Sequence, residues 1–551
     1  MAKAQMRIQP NYAGHVIYPG QTLFYVPEFH NDGPGTADSV TLENKVSAGL
    51  TITEVYGGPC GRNDSGEVAC GWGKTGKGEF GWTKISVRLN PGHPVDTTVS
   101  STLKLVSRVG GKVSSTATHT YTWAVRAAPV YHQTEKSAYP QPRSLDISAL
   151  PSAESERGRL AQRSLWADFQ PTGFYLNPHE DLTVTVSGLS GTTVEPEIVI
   201  GTPDLINPDK DYDDDVTPGP FRQKLAEGAN RVSNLYGGIL YVRYAADPGQ
   251  EAPAITVTLG EGAEPFPFYR QGITTAAQWR HMLDVSKVPV AEHSGDRVIL
   301  TGLVSHAARY ADRDQEALLT GYQDIVDAQD AISGLGAGAL PDRPSPLRPM
   351  VVITRTETDP NSKDYRAAIP AGDAANVYAP ERQCQAWGEW HELGHQRQQT
   401  DHWSWGAMTE TTVNVYTLAA RRLFPSGLPQ KHGTPAEWDD AKKYLAGTGK
   451  TFEDADEFVR LAMFEQLRVV FGDGFYHRLH RMARRRERIK GDAEKKRYFM
   501  ISACVASGTD LGDYFTRWGL RPDTATKDGI AALELPGPAT DPTATPVFGG
   551  S

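Results

Sequence analysis

The segment His391-Glu392-Leu393-Gly394-His395 constrains this chain more than any other feature. Its two imidazoles are four residues apart in a proline-free stretch, 384–399, so both rings project from one face of a helix. Zinc favours such neutral nitrogen ligands, and a catalytic zinc takes three protein ligands and leaves the fourth position to water. The spacing therefore predicts His391 and His395 as metal ligands, with Glu392 beside the first as the base that reaches the water. A pentapeptide of this kind also arises by chance, so its surroundings must supply the third ligand.

Those surroundings offer Glu410. A short polar and aromatic connection, 400–406, leads to a second helical pattern over 408–423, and Glu410 near its start can close a His/His/Glu shell from an antiparallel neighbour. A glutamate in a first turn also favours the helix dipole, which is its ordinary role. Asn414 is one turn further on the same face, where it can fix the far nitrogen of a metal-bound imidazole or simply be a partly exposed helical Asn. Gly394 costs about 1 kcal/mol in helix propensity relative to Ala, which suggests close approach of another backbone. Of the four tryptophans around the motif, at 387, 390, 403 and 405, Trp387 alone shares the face of His391. It is the candidate for stacking on a sugar, while core or rim packing suits the others.

The chain as a whole reads as a multidomain α+β protein. Over 1–128, short β-branched and aromatic runs at 21–26, 51–55, 84–89, 101–106 and 118–125 alternate with turn residues, the pattern of an antiparallel β-sandwich. Residues 129–158 read as a linker turning helical near 152–166. A β-rich unit follows over 159–274, with strands at 182–186, 197–200 and 238–244 and a sharp turn at Gly237-Gly238. From 275 to 534 the periodicity is mainly helical, at 313–332, 384–399, 408–423 and 452–471. The Pro/Thr/Gly-rich tail, 535–551, has too little apolar content to pack and is expected to be mobile.

The sandwich resembles the Ig-like repeats of bacterial surface proteins through three stretches: Tyr-Pro-Gly-Gln-Thr-Leu-Phe-Tyr at 18–25, His-Asn-Asp-Gly-Pro-Gly-Thr-Ala at 30–37 and Ala-Gly-Leu-Thr-Ile at 48–52. That likeness implies a non-catalytic stalk or adhesive spacer. The metal segments resemble the enhancin-type gluzincins, a family of viral enhancins and bacterial mucin-degrading peptidases. The family pairs a His-Glu-x-Gly-His helix with a downstream Glu-Val-Thr-Asn-Asn-Ile-Tyr segment. Here the second segment is Glu-Thr-Thr-Val-Asn-Val-Tyr at 410–416, which matches at Glu410, Asn414 and Tyr416 and departs at Val413. Ordered motifs at 171–178, 236–242, 471–476 and 510–519 extend the likeness over roughly residues 160–525. The resemblance implies a zincin-like helical catalytic domain, an integral β-rich unit before it, and zinc-dependent endopeptidase activity on glycoproteins with mucin-type O-glycans.

The formal net charge of −10 is spread along the chain and gives no general attraction to nucleic acid. No apolar run approaches the roughly 20 residues of a membrane span, and the first residues lack an apolar signal core. The resemblance nonetheless implies a secreted or surface location. Cys60 and Cys70 flank a Gly-rich loop that a bridge can close or leave open; Cys384 and Cys504 read as buried thiols. The basic run 484–490 reads as a solvated helix end, and the acidic run 211–215 as a polar surface loop without an EF-hand's spacing. His402 and Tyr416 stand unranked as oxyanion stabilisers. An alternative function is a glycan-binding or adhesive protein that keeps an inactive peptidase fold, but an intact Glu392 with a complete ligand set favours catalysis.

Overall fold

The computed structural model describes all residues except 1–2, 12–13, 63–66, 208–215, 218, 356–358, 425–427, 429 and 550–551. The acidic run 211–215 therefore lies outside the described residues. The first 125 residues build two sheets around one core. One sheet orders Met6–Asn11, Thr22–Asn31, Lys84–Leu89 and Leu50–Tyr56, with Phe80–Trp82 also paired to Thr22–Asn31. The other orders Val16–Ile17, Lys112–Val125, Thr98–Val109, Ser39–Val46, Val68–Trp72 and Cys60–Arg62. Strict alternation, as in Thr98–Val109 with Val99, Leu103 and Leu105 inward, makes one face of each sheet apolar. A disulfide joins Cys60 to Cys70 across paired strands.

The stretch expected to be a linker contributes structure of its own. Ser144–Ile147 pairs with Ile255–Leu259 in a four-stranded sheet, completed by Asp181–Ser187 and Gly228–Ser233. The strand is only four residues long, and its one fully buried side chain is Ile147, too weak a pattern to read without its partner. The helix that follows is Ala153–Leu160, capped by Ser152.

A five-stranded sheet of Phe221–Lys224, Glu197–Ile200, Gly238–Arg243, Phe169–Leu176 and Ala263–Pro265 is covered on both faces. Phe174, Leu176, Leu240 and Val242 face the four-stranded sheet, whereas Phe169, Tyr175, Ile239 and Tyr241 join the core of the following domain. Gly237 and Gly238 both adopt positive φ before the central strand, and a Cβ on Gly238 would lie 2.7 Å from Gly201 Cα. The shared core makes this unit and the helical one a continuous body.

Residues beyond 275 are not simply helical. A mixed six-stranded sheet orders Phe268–Arg270, Val290–Ser294, Ile299–Leu303, Met350–Thr354, Arg366–Pro370 and Asn361–Lys363. Ile299–Leu303 and Met350–Thr354 are buried at every position, so they show no period-2 pattern, and short apolar runs of that kind are easily taken for helix. Helices Gln315–Ile332, Trp387–Arg397, Asn414–Arg421, Glu457–Phe471, Gly474–Arg484 and Asp492–Ser507 surround it.

The tail also differs from expectation. Val547 and Phe548 are buried in the main core, and the Gln466 side-chain amide donates to the carbonyls of Thr543 (3.0 Å) and Thr545 (2.9 Å). Two apolar residues suffice here because a fixed amide satisfies the adjoining backbone. Cys504 is buried as expected, but Cys384 is only half-buried, its segment being a 3-10 turn at the surface.

Candidate metal centre

The helix Trp387–Arg397 has no side-chain cap and two glycines, so its stability comes from packing rather than propensity. Gln329 donates to Trp390 O at 2.8 Å from the neighbouring helix, and Arg397, fully buried, donates to Asp330 at 3.0 Å. The Arg397 guanidinium also lies 4.4 Å over the ring of Trp166, which belongs to the β-rich part of the chain. Both ends of the helix are thus held by residues distant in sequence.

Gly394 permits the contact that sets the centre. A Cβ there would meet Val413 Cγ2 and O at 3.1 Å and Tyr416 Cβ at 3.2 Å. The second element is broken rather than continuous, as a 3-10 turn Gly406–Met408, a helical turn Thr409–Thr412 and the helix Asn414–Arg421. It places Glu410 Oε2 3.1 Å from His391 Nε2 and 3.1 Å from His395 Nε2. The three candidate ligand atoms lie within 4.8 Å of one another. Ligands each about 2 Å from a tetrahedral ion lie roughly 3.3 Å apart, so this donor set fits one metal ion.

The far nitrogens are also engaged. His391 Nδ1 lies 2.9 Å from Asn414 Oδ1, and His395 Nδ1 lies 3.0 Å from Gln398 Oε1. When Nε2 ligates a metal ion, Nδ1 would carry the proton and donate to these amide oxygens. Asn414 thus occupies the position its spacing suggested. Gln398 was missed; its only sequence signal is being three residues past His395, at the frayed helix end. Arg163 was missed as well, and its guanidinium reaches within 3.2 Å of His395 Nδ1 from the loop after Ala153–Leu160.

Glu410 stands at the open side, with 56% of its side chain exposed, whereas Glu392 is 6% exposed. The hydrogen bonds from His391 and His395 hold the Glu410 carboxyl far below its ordinary range. Burial pushes the Glu392 carboxyl up, partly opposed by the adjacent His391 and His395. For His391, burial works against the charged ring, but the bond to Glu410, with Glu392 and Asn414, outweighs it and raises the pKa. Glu389, another residue sequence reasoning passed over, is buried in the first turn of the same helix and pushed up to about 7 by that burial.

Trp387 does not serve as a sugar platform. Its ring is 8% exposed, with His432 edge-on at 5.3 Å and Phe458 at 6.1 Å, both from segments whose approach the sequence does not announce. Trp390, Trp403 and Trp405 are wholly buried. Neither unranked oxyanion candidate is free: His402 Nε2 donates to Arg486 O at 3.0 Å, and the Tyr416 hydroxyl, fully buried, bonds Arg397 O and His480 Nε2.

Comparison with known proteins identifies the family. Residues 262–519 match the model of peptidase M60, enhancin and enhancin-like, and residues 151–258 match the N-terminal domain of M60-like peptidases. TRPM8 channel-associated factor 2 of Bos taurus is 28% identical over 250 residues, which are 44% of this chain and 26% of that protein. The chain thus spans about a quarter of the length of that relative. A conserved protein of unknown function from Bacillus anthracis is 29% identical with a TM-score of 0.65, covering 73% of this chain and 81% of that one. The M60 catalytic domain of Clostridium perfringens ZmpC, solved with the sialyl T antigen, shares the fold at a TM-score of 0.60 and 15% identity, covering 73% and 81%. With both segment matches adjoining and the metal-ligand cluster inside the longer one, the chain belongs to the M60, enhancin and enhancin-like, peptidase family.

Proposed function

We propose that this protein is a zinc-dependent endopeptidase that hydrolyses peptide bonds in glycoproteins carrying mucin-type O-glycans. The observation that carries the reading is the convergence of His391, His395 and Glu410 beside a buried Glu392. Bound zinc would supply a Lewis acid that activates water at neutral pH. Glu392 takes the proton from the attacking water and returns it to the leaving amine. Asn414 and Gln398 fix the orientation of the two imidazoles.

The glycoprotein preference is supported by structural neighbours solved with the Tn and sialyl T antigens. A secreted or surface location suits the Cys60–Cys70 disulfide, since such bonds persist in oxidising surroundings. We read the N-terminal two-sheet unit, 1–128, as the Ig-like module. The test is Glu392→Gln, which preserves shape and removes the base. Zinc content stays at the wild-type level while cleavage of a mucin-type substrate falls about 10²–10⁴-fold. Near-wild-type cleavage by a clean preparation of that variant rejects the mechanism.

A further inference from the structure

Among the described residues, the Phe, Tyr and Trp side chains that stand open to solvent are Phe24, Tyr56, Phe80 and Trp82, and all four belong to the N-terminal unit. Phe80–Trp82 alternates exposed, buried, exposed, so Phe80 and Trp82 share the outer face of their sheet. They pair in register with His30 and Glu28, and the His30 ring stacks on Phe80 at 5.8 Å. Tyr56, ending the strand Leu50–Tyr56, brings its ring to 6.2 Å from that of Trp82. Rings left in water along one face are not explained by the core, which is complete beneath them.

The arrangement is built rather than incidental. Gly57 has φ +86°, and a Cβ there would lie 2.5 Å from the Trp82 ring; a Cβ on Gly58 would lie 2.9 Å from Trp82 O and 3.0 Å from the Trp72 ring. The backbone after Tyr56 therefore lies flat against Trp82. Two residues on, the Cys60–Cys70 disulfide fastens that loop to the neighbouring sheet. The rings are set before any ligand arrives, which lowers the ordering cost of binding.

Charged groups interleave the rings. Glu28 and His30 lie 3.5 Å apart, and Lys84, 4.8 Å over Phe24, lies 3.6 Å from Glu54. Lys84 offsets one of the two carboxylates, so the face carries little net charge and pulls weakly on anions or cations over distance. Charged groups stand among the rings at the centre of this face, whereas the core of a protein–protein interface is depleted of charge. Alternating aromatic faces and hydrogen-bonding groups instead match a neutral polyol whose C–H faces alternate with hydroxyls.

We propose that this face is a glycan-binding platform, with Tyr56, Phe80 and Trp82 stacking on neutral sugar rings while Glu28, His30 and Glu54 bond their hydroxyls. It holds a glycosylated substrate near the peptidase. The choice of glycan among polyols rests on the proposed glycoprotein substrate.

The experiment measures binding of the full chain, carrying Glu392→Gln to prevent hydrolysis, to immobilised desialylated mucin and to the same mucin stripped of its glycans. Tyr56→Ala/Trp82→Ala weakens binding to the glycosylated form at least about tenfold, Trp82→Phe retains most of it, and the stripped mucin binds no better than the double variant. Equal binding by double variant and parent, or by stripped and intact mucin, overturns the platform. If the double variant fails to fold, Tyr56→Ala alone decides, since a ring 64% exposed can be removed without a cavity; unchanged binding then overturns it. With Glu392 intact, cleavage of a short O-glycopeptide reads the peptidase proposal separately. Binding is read on the Glu392→Gln chain and hydrolysis on the chain that keeps Glu392, so the two proposals fail independently.

Discussion

Asn414 ties the two elements of the candidate metal centre together. Its carbonyl oxygen lies 2.9 Å from His391 Nδ1 on one helix, while its amide donates to Glu410 O, also at 2.9 Å, on the other. One buried side chain thus contacts one candidate ligand at its ring nitrogen and another at its backbone. Asn414→Ala is expected to lower metal affinity about 10–100-fold with the fold intact, as loss of such outer partners does elsewhere. Competition with a chromogenic chelator measures it; unchanged affinity removes Asn414 from the centre.

The ligand set predicts one equivalent of zinc. His391→Ala, His395→Ala and Glu410→Ala each remove most of it, because an incomplete shell holds the ion weakly. Metal analysis after dialysis is the check, and full retention by Glu410→Ala rejects the third ligand.

Gly394→Ala pits helix propensity against packing. A methyl gains about 1 kcal/mol of propensity, but it meets Val413 O and Cγ2 at 3.1 Å, and the backbone oxygen cannot move without the second metal element. Overpacking of this kind costs about 1–3 kcal/mol. The variant should be less stable on thermal unfolding and bind zinc more weakly; a variant with higher stability and native zinc affinity would show that the helices separate freely.

Glu292 predicts a pH dependence away from the metal. Its wholly buried carboxyl accepts from Tyr241 (2.7 Å) and Thr301 (2.9 Å), and burial pushes its pKa up to about 7. A raised carboxyl pKa means that the folded state keeps its proton where the unfolded state has lost it. The contribution is complete below the ordinary glutamate range and declines as pH rises toward about 7, by on the order of 3 kcal/mol. Glu292→Gln, which imitates the protonated form, should flatten the fall in stability between pH 5 and pH 7 relative to the parent, read from denaturant midpoints. Parallel profiles for the two proteins would assign the dependence to other groups.

What the sequence alone determined is local. His391 and His395 share a helix face because they are four residues apart, and the same spacing joins Glu410 to Asn414, so helical geometry pairs the candidate residues within each element, while the approach of Glu410 to the histidines needed the fold. The alternating strands of the first 125 residues and the turn at Gly237-Gly238 are legible for the same reason. Tertiary structure alone decided which surfaces remain open. Trp387 lies under His432 and Phe458, and Gln466 captures the tail. Ile299–Leu303 and Met350–Thr354 enter a sheet covered on both faces, where burial removes the alternation by which a strand is recognised. Each depends on residues brought together across long stretches of chain, and spacing along the sequence carries no record of such contacts.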